Sequence, residues 1–415
     1  MKLMAASIAT VVVLAATVTG FAPGSTPYST PYALPFVEKP TDEDAGAFDG
    51  LLTLAQALPP SSTLNVLWTH GMCTHRPGWV DERLNKLVLA VGGTSRTVGV
   101  RPVGDQGASL RTERIAVGSA TIDVMFLSWS PITASSKAAL SYDHSVDYGG
   151  EFPYERAFLN RELKRGLIND CMTDVVVYGG PKGAAIRLAA EEALCNALGG
   201  SYVGADCSVP HGEAPAALAF VTESLGSKLI FDAILEVWAD AENRRDKALF
   251  DRMAKSLAST RMIYLMANQL PLLDSSGPTI GSVNGAPGPQ RPTTGSSARD
   301  VFDLLSRLRA WTPSGAEPLT VVAFSDPNDL LSYRVVPRYL AAGLQGFRIV
   351  NVIVSNGATY FNYVERPDQA HCGYTRNSHV LALVARGYQA GKSLPEIPGL
   401  ASDCPDFITL NENQQ

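Results

Sequence analysis

The stretch AALAFVTESLGSKLIFDAI, residues 216–234, opens as a continuous apolar run and past Ser224 changes to apolar residues at three- and four-residue spacing. The first half reads as a strand buried on both faces and the second as an amphipathic helix. A serine at such a junction sits in a cramped backbone turn, tolerable when the residues two before and two after it are small. Here those are Thr222 and Gly226, giving T-E-S-L-G in place of the stricter G-x-S-x-G. The turn would expose the Ser224 hydroxyl and aim the backbone N–H of Leu225 at whatever that hydroxyl attacks. The plainer alternative for Ser224 is an ordinary helix cap, a role serine often fills.

The same alternation extends in both directions. Short apolar runs, LNVLWTHG (64–71), ATIDVMFLSW (120–129), DVVVYGG (174–180), AALAFVTES (216–224), RMIYLMA (261–267), LTVVAFSD (319–326) and FRIVNVIVS (347–355), read as strands. Segments such as PKGAAIRLAAEEALCNAL and ARDVFDLLSRLRAW read as helices between them. Strand, helix, strand in repetition predicts an α/β fold, a mostly parallel sheet flanked by helices on both faces. Two stretches break the rhythm. Residues 237–257 read as a charged helical segment presenting a solvated face, and residues 269–297 as a long Gly/Pro/Ser-rich loop.

A serine nucleophile needs an imidazole held by a carboxylate. In a sheet of this kind the partners come from loops at the carboxyl ends of later strands. LTVVAFS runs into DPNDLLSY, which supplies Asp329 as the favoured acid and Asp326 as the alternative. The run FRIVNVIVS leads to His371, expected in a loop and favoured as the base, and to His379 at the start of the final helix as the alternative. VLWTHGMCTH ends a strand with His70-Gly71, so the N–H of Met72 is the expected second oxyanion donor beside that of Leu225, with Gly71 permitting close approach. The His70 side chain reads as structural, and His75, His144 and His211 as ordinary polar residues.

His-Gly after an early strand, T-E-S-L-G at the turn, S-D-P-N-D after a late strand and A-H-C-G-Y before the last helix fall in the order of the α/β-hydrolase superfamily, which residues 62–392 resemble. The Glu before the serine is similar to the carboxylesterase branch, and a Thr at the first position of the turn occurs in some lipases. The resemblance implies an α/β-hydrolase fold and a triad of Ser224, His371 and Asp329 that cleaves carboxylic esters through an acyl-enzyme, esterase- or lipase-like. A non-catalytic binding module on the same fold, or an acyltransferase with the same triad, would share these motifs.

Composition limits the partners. The chain has 415 residues, 46% of them hydrophobic and 18% charged, with a net charge of −6 and no basic run, which argues against nucleic acid. Expected partners are a small-molecule or lipid ester, the latter bringing transient contact with a membrane or lipid surface. No cofactor is expected. With no CxxC pair and no HExxH, neither is a metal, and GGPKGAA (179–185) lacks phosphate-loop spacing. Residues 1–22 read as a signal peptide, 23–62 as an N-terminal arm holding one helical candidate, and 63–415 as the hydrolase domain. Export to the periplasm or beyond fits six cysteines, for which the expected pairs are Cys195–Cys207, Cys372–Cys404 and Cys73–Cys171.

Overall fold

The computed structural model describes residues 32–37, 46–144, 156–274, 297–309, 318–336 and 346–397, apart from short breaks at 77, 204–205, 210–216, 245–246, 358 and 361–363. The expected signal peptide, His211, Cys404 and most of the Gly/Pro/Ser-rich loop lie outside the described residues.

The main sheet is built from β1 (Tyr32–Val37), β2 (Thr63–Thr69), β3 (Thr94–Val103), β4 (Ala108–Val117), β5 (Ala120–Ser128), β6 (Ala217–Glu223), β7 (Thr260–Met266), β8 (Leu319–Ser325) and β9 (Phe347–Ser355). Its nine strands lie in the order β1-β9-β8-β7-β6-β2-β5-β4-β3. From β9 to β5 every neighbouring pair is parallel, while β1 joins β9, and β4 joins β5 and β3, antiparallel. The N-terminal arm therefore does more than lead into the fold, since it supplies an edge strand.

The helices used below are α1 (Leu51–Gln56), α2 (Trp79–Val91), α3 (Thr173–Gly179), α4 (Gly183–Ala197), α5 (Gly226–Asn243), α6 (Lys247–Ala258), α7 (Leu270–Leu273), α8 (Ser297–Arg309), α9 (Pro367–Cys372) and α10 (Ser378–Arg386). Side chains alternate across the central strands. Leu67, Phe220, Ile263 and Val321 pack into one core with α4, α5, α6 and α8. Val66, Val221, Tyr264 and Val322 pack into the other with α1, α2 and α10. Strands covered on both faces need apolar residues at every position, which is why they read as unbroken runs.

Two expectations are corrected. DVVVYGG is helix α3 and not a strand: Val176 is 72% exposed while Val177 and Tyr178 are buried, a helical and not a two-sided pattern. Tertiary contacts override the β preference of three valines. Tyr178 hydrogen-bonds Asp232 on α5, and Asp174 hydrogen-bonds the backbone of Cys73. Residues 237–257 are not a solvated face but parts of α5 and α6, each with a buried side formed by Val237, Trp238 and Ala241 and by Leu249, Met253 and Leu257.

Candidate active site

The turn between β6 and α5 has the geometry a nucleophile requires. Ser224 has φ 52°, a left-handed conformation that is uncommon for a residue with a side chain. Its N–H is held by Met266 O at 2.8 Å. A Cβ on Gly226 would lie 2.7 Å from His70 O, and one on Gly71 would lie 2.6 Å from Ser224 Cβ. Glycine at both positions is what allows the turn and the loop after β2 to touch. Thr222 fits without a glycine because its hydroxyl turns to β7 and donates to Tyr264 O at 3.2 Å.

Ser224 Oγ lies 3.0 Å from His371 Nε2, and His371 Nδ1 lies 2.9 Å from both oxygens of Asp329. A carboxylate at Nδ1 fixes the proton there, leaving Nε2 as the acceptor that faces the serine. All three side chains are buried. They come from the carboxyl ends of β6, β8 and β9, strands that point the same way. His371 is not in a loop, as the sequence suggested, but in the last turn of α9. Pro367 at its first turn pre-sets the helical backbone, and Asp368 adds a carboxylate near its positive end. The alternative base, His379, is engaged elsewhere, with Nδ1 2.9 Å from Pro395 O.

The candidate acid, Asp329, is well held by its surroundings. Asp329 Oδ1 accepts Leu331 N–H at 2.9 Å, and Oδ2 accepts the Tyr374 hydroxyl at 3.1 Å. Burial alone would push its carboxyl up. The positive character of His371, the His371 hydrogen bond and these two donors outweigh burial and hold it below the usual range. The other candidate, Asp326, does not touch the histidine. It closes the turn after β8 by accepting the N–H groups of Asn328 at 2.9 Å and Asn356 at 2.7 Å.

Burial, opposed by those two N–H groups and reinforced by Asp329, raises Asp326 to about 6. Glu365, tied to Asn328 Nδ2 at 2.7 Å, is raised to about 7 by burial and then by Asp326. Both acids hold protons in the folded protein where the unfolded chain, with carboxyl pKa values of about 4, has released them. Their contribution to stability is therefore full below about pH 4 and is lost as pH rises through about 6 to 7. Glu365→Gln is expected to flatten the fall in Tm across that window relative to the wild type. An unchanged slope in melting curves taken at stepped pH would refute the assignment.

The loop after β2 is fastened from three sides. His70 Nδ1 lies 2.8 Å from Gly71 O, so Nε2 accepts the N–H groups of Trp129 at 3.1 Å and Ser130 at 3.3 Å. Burial first, then His75, pushes its pKa well below the ordinary value and keeps it neutral. His75 is lowered to about 3 by burial and Arg83, with its ring 4.1 Å from that of His70. It is therefore part of the packing under this loop rather than the ordinary polar residue expected from the sequence. Cys73, at φ 81°, donates its N–H to Asp174 at 2.7 Å and is bridged to Cys171. Among the described residues no protein acceptor meets the N–H of Met72 or of Leu225. Two free donors beside the serine are what an oxyanion hole requires.

Glu223 is structural, accepting Trp68 Nε1 at 2.9 Å and Arg83 Nε at 3.0 Å. A second disulfide joins Cys195 to Cys207, while the expected partner of Cys372, Cys404, is not among the described residues. Among the described residues one cluster, Cys73, Asp170 and Cys171, gathers metal-ligand side chains, but its sulfurs are joined to each other and offer no thiolate.

Sequence reasoning passed over Tyr374 and Gln269. Gln269 Nε2 lies 3.4 Å from His371 Nε2, and the residue is 2% exposed. It stands just past the carboxyl end of β7, where a list of polar residues following each parallel strand would have found it. No family model, curated protein or solved structure matches the chain, so a functional reading rests on the geometry of Ser224, His371 and Asp329.

Proposed function

We propose that the protein is an exported serine hydrolase of α/β-hydrolase architecture that cleaves carboxylic esters of a small-molecule or lipid kind. The observation that carries this reading is the unbroken contact from Ser224 Oγ through His371 to Asp329, at 3.0 Å and 2.9 Å, with the serine on a left-handed turn between strand and helix. In this reading Ser224 attacks the ester carbonyl as its proton passes to His371 Nε2, and Asp329 stabilises the imidazolium that forms. The N–H groups of Met72 and Leu225 take up the negative charge on the carbonyl oxygen. The alcohol leaves with the proton from His371, and water then hydrolyses the acyl-enzyme by the same steps. The disulfides Cys73–Cys171 and Cys195–Cys207 are compatible with an oxidising compartment, which supports export.

An alkylphosphonate probe reports the activated serine directly. Wild-type protein is expected to be labelled and Ser224→Ala to be spared, read by intact mass. An unlabelled wild type would leave the fold as a binding module and end the enzyme reading.

A further inference from the structure

The imidazole nitrogen that serves a serine nucleophile must exchange its proton with more than the serine. His371 Nε2 has to reach the departing alkoxide and later the attacking water, so a site for that oxygen must lie beside it. Among the described residues two side chains reach this nitrogen: Ser224 Oγ at 3.0 Å and Gln269 Nε2 at 3.4 Å. The lone pair of Nε2 is already directed at the serine hydroxyl, and the longer amide contact is a weak one. Among the described residues the Gln269 side chain makes no other hydrogen bond, although the residue is 2% exposed. The amide is therefore held beside Nε2 by one weak contact and keeps an N–H to give to another oxygen.

The backbone that carries Gln269 is held in place from both sides. Ala267, immediately past β7, has φ 52°, a strained conformation for alanine. Asn268 is fully buried and clamps the acid loop, accepting Tyr333 N–H on its backbone oxygen at 2.8 Å and donating Nδ2 to Tyr333 O at 2.8 Å. Asn268 Oδ1 accepts Leu270 N–H at 3.2 Å, and Gln269 O accepts the N–H groups of Leu272 and Leu273, both at 3.0 Å. This strained segment, locked to the loop that bears Asp329, places one polar side chain at the reacting nitrogen. Packing alone needs neither the strain nor the amide.

We propose that Gln269 is a further catalytic residue, whose amide N–H donates to the oxygen that trades its proton with His371, first the departing alkoxide and then the hydrolytic water. The inference rests on the Ser224 hydrolase reading. In acylation the bond from the acyl carbon to the alcohol oxygen breaks, and that oxygen takes the proton from Nε2–H while the amide donates a hydrogen bond to it. In deacylation water passes a proton to Nε2 as its oxygen bonds the acyl carbon. The acyl–Oγ bond then breaks, and Ser224 Oγ recovers the proton. Gln269 remains neutral throughout and is needed most when the leaving oxygen is basic.

The test is the ratio of kcat/KM on an ethyl ester to kcat/KM on the p-nitrophenyl ester of the same acid, in the full chain and in Gln269→Met. A nitrophenolate leaves without help, so its kcat/KM, which reports steps through acylation, is expected to change by less than about threefold. The ethyl ester is expected to lose about 10- to 100-fold, a smaller effect than removal of an oxyanion donor. The ratio does not depend on the fraction of protein folded, and Gln269→Ala supplies it again if the methionine variant is poorly produced. An unchanged ratio in a wild type that takes the phosphonate label overturns the role of Gln269 alone. A wild type that neither takes the label nor cleaves either ester overturns the underlying reading as well.

Discussion

Replacement of His371 by alanine is expected to lower kcat on a p-nitrophenyl ester by on the order of 10⁴- to 10⁶-fold. Without the imidazole the Ser224 hydroxyl keeps its proton, and no other base among the described residues lies within hydrogen-bond reach of it. Gln269 cannot substitute, because an amide does not accept a proton at neutral pH. The fold is expected to persist. Asp329 retains Leu331 N–H at 2.9 Å and the Tyr374 hydroxyl at 3.1 Å, so its carboxyl group is not stranded. Loss of His371 also removes the principal influence opposing burial at Asp329, whose pKa is therefore expected to rise. The double variant Ser224→Ala/His371→Ala should be no slower than either single variant, since groups that act as a unit are not additive. Steady-state kinetics on purified protein decide it. A loss smaller than about tenfold, or effects of the two substitutions that multiply, would dissolve the unit.

The pattern of what the sequence revealed follows from burial. Strands β2 and β5 to β9 are covered on both faces, so their side chains are apolar nearly throughout and announce themselves. Strand β3 is the far edge, exposed along most of its length until Val103, and it carries Arg96 and Arg101. No apolar run marks such a strand, and the charges that hide it also discourage edge-to-edge pairing. Strand β1 was concealed by its Pro-rich setting, because an edge strand tolerates Pro35 where a central one would not. The candidate triad was legible for a different reason. Ser224, Asp329 and His371 each follow a recognisable strand, so the topology ordered them before any distance was known. Gln269 and Tyr374 follow comparable signals, but amides and phenols serve many purposes, and only their distances to His371 and Asp329 single them out.

The two aspartates of S-D-P-N-D should separate sharply under a neutral, isosteric substitution. Asp329→Asn is expected to lower kcat by about 10³- to 10⁴-fold. The carboxylate fixes the proton on Nδ1 and balances the positive imidazole. An asparagine can offer an NH₂ instead, which favours the tautomer that turns Nε2–H toward Ser224 and blocks proton acceptance. Asp326→Asn is expected to change kcat by less than about tenfold. Its two oxygens serve the backbone N–H groups of Asn328 and Asn356 and not His371, so an asparagine, with one acceptor for those two donors, is expected to lower Tm through the turn while leaving the imidazole's contacts in place. The contrast arises within a single turn closed by Asp329 N–H donating to Asp326 O at 3.0 Å, which directs one side chain to the backbone past β9 and the other toward His371. If Asp326→Asn were as damaging as Asp329→Asn, the acid would have been assigned to the wrong member of the pair. If neither mattered, His371 would be working without a carboxylate, and the short contacts to Asp329 would be structural rather than catalytic.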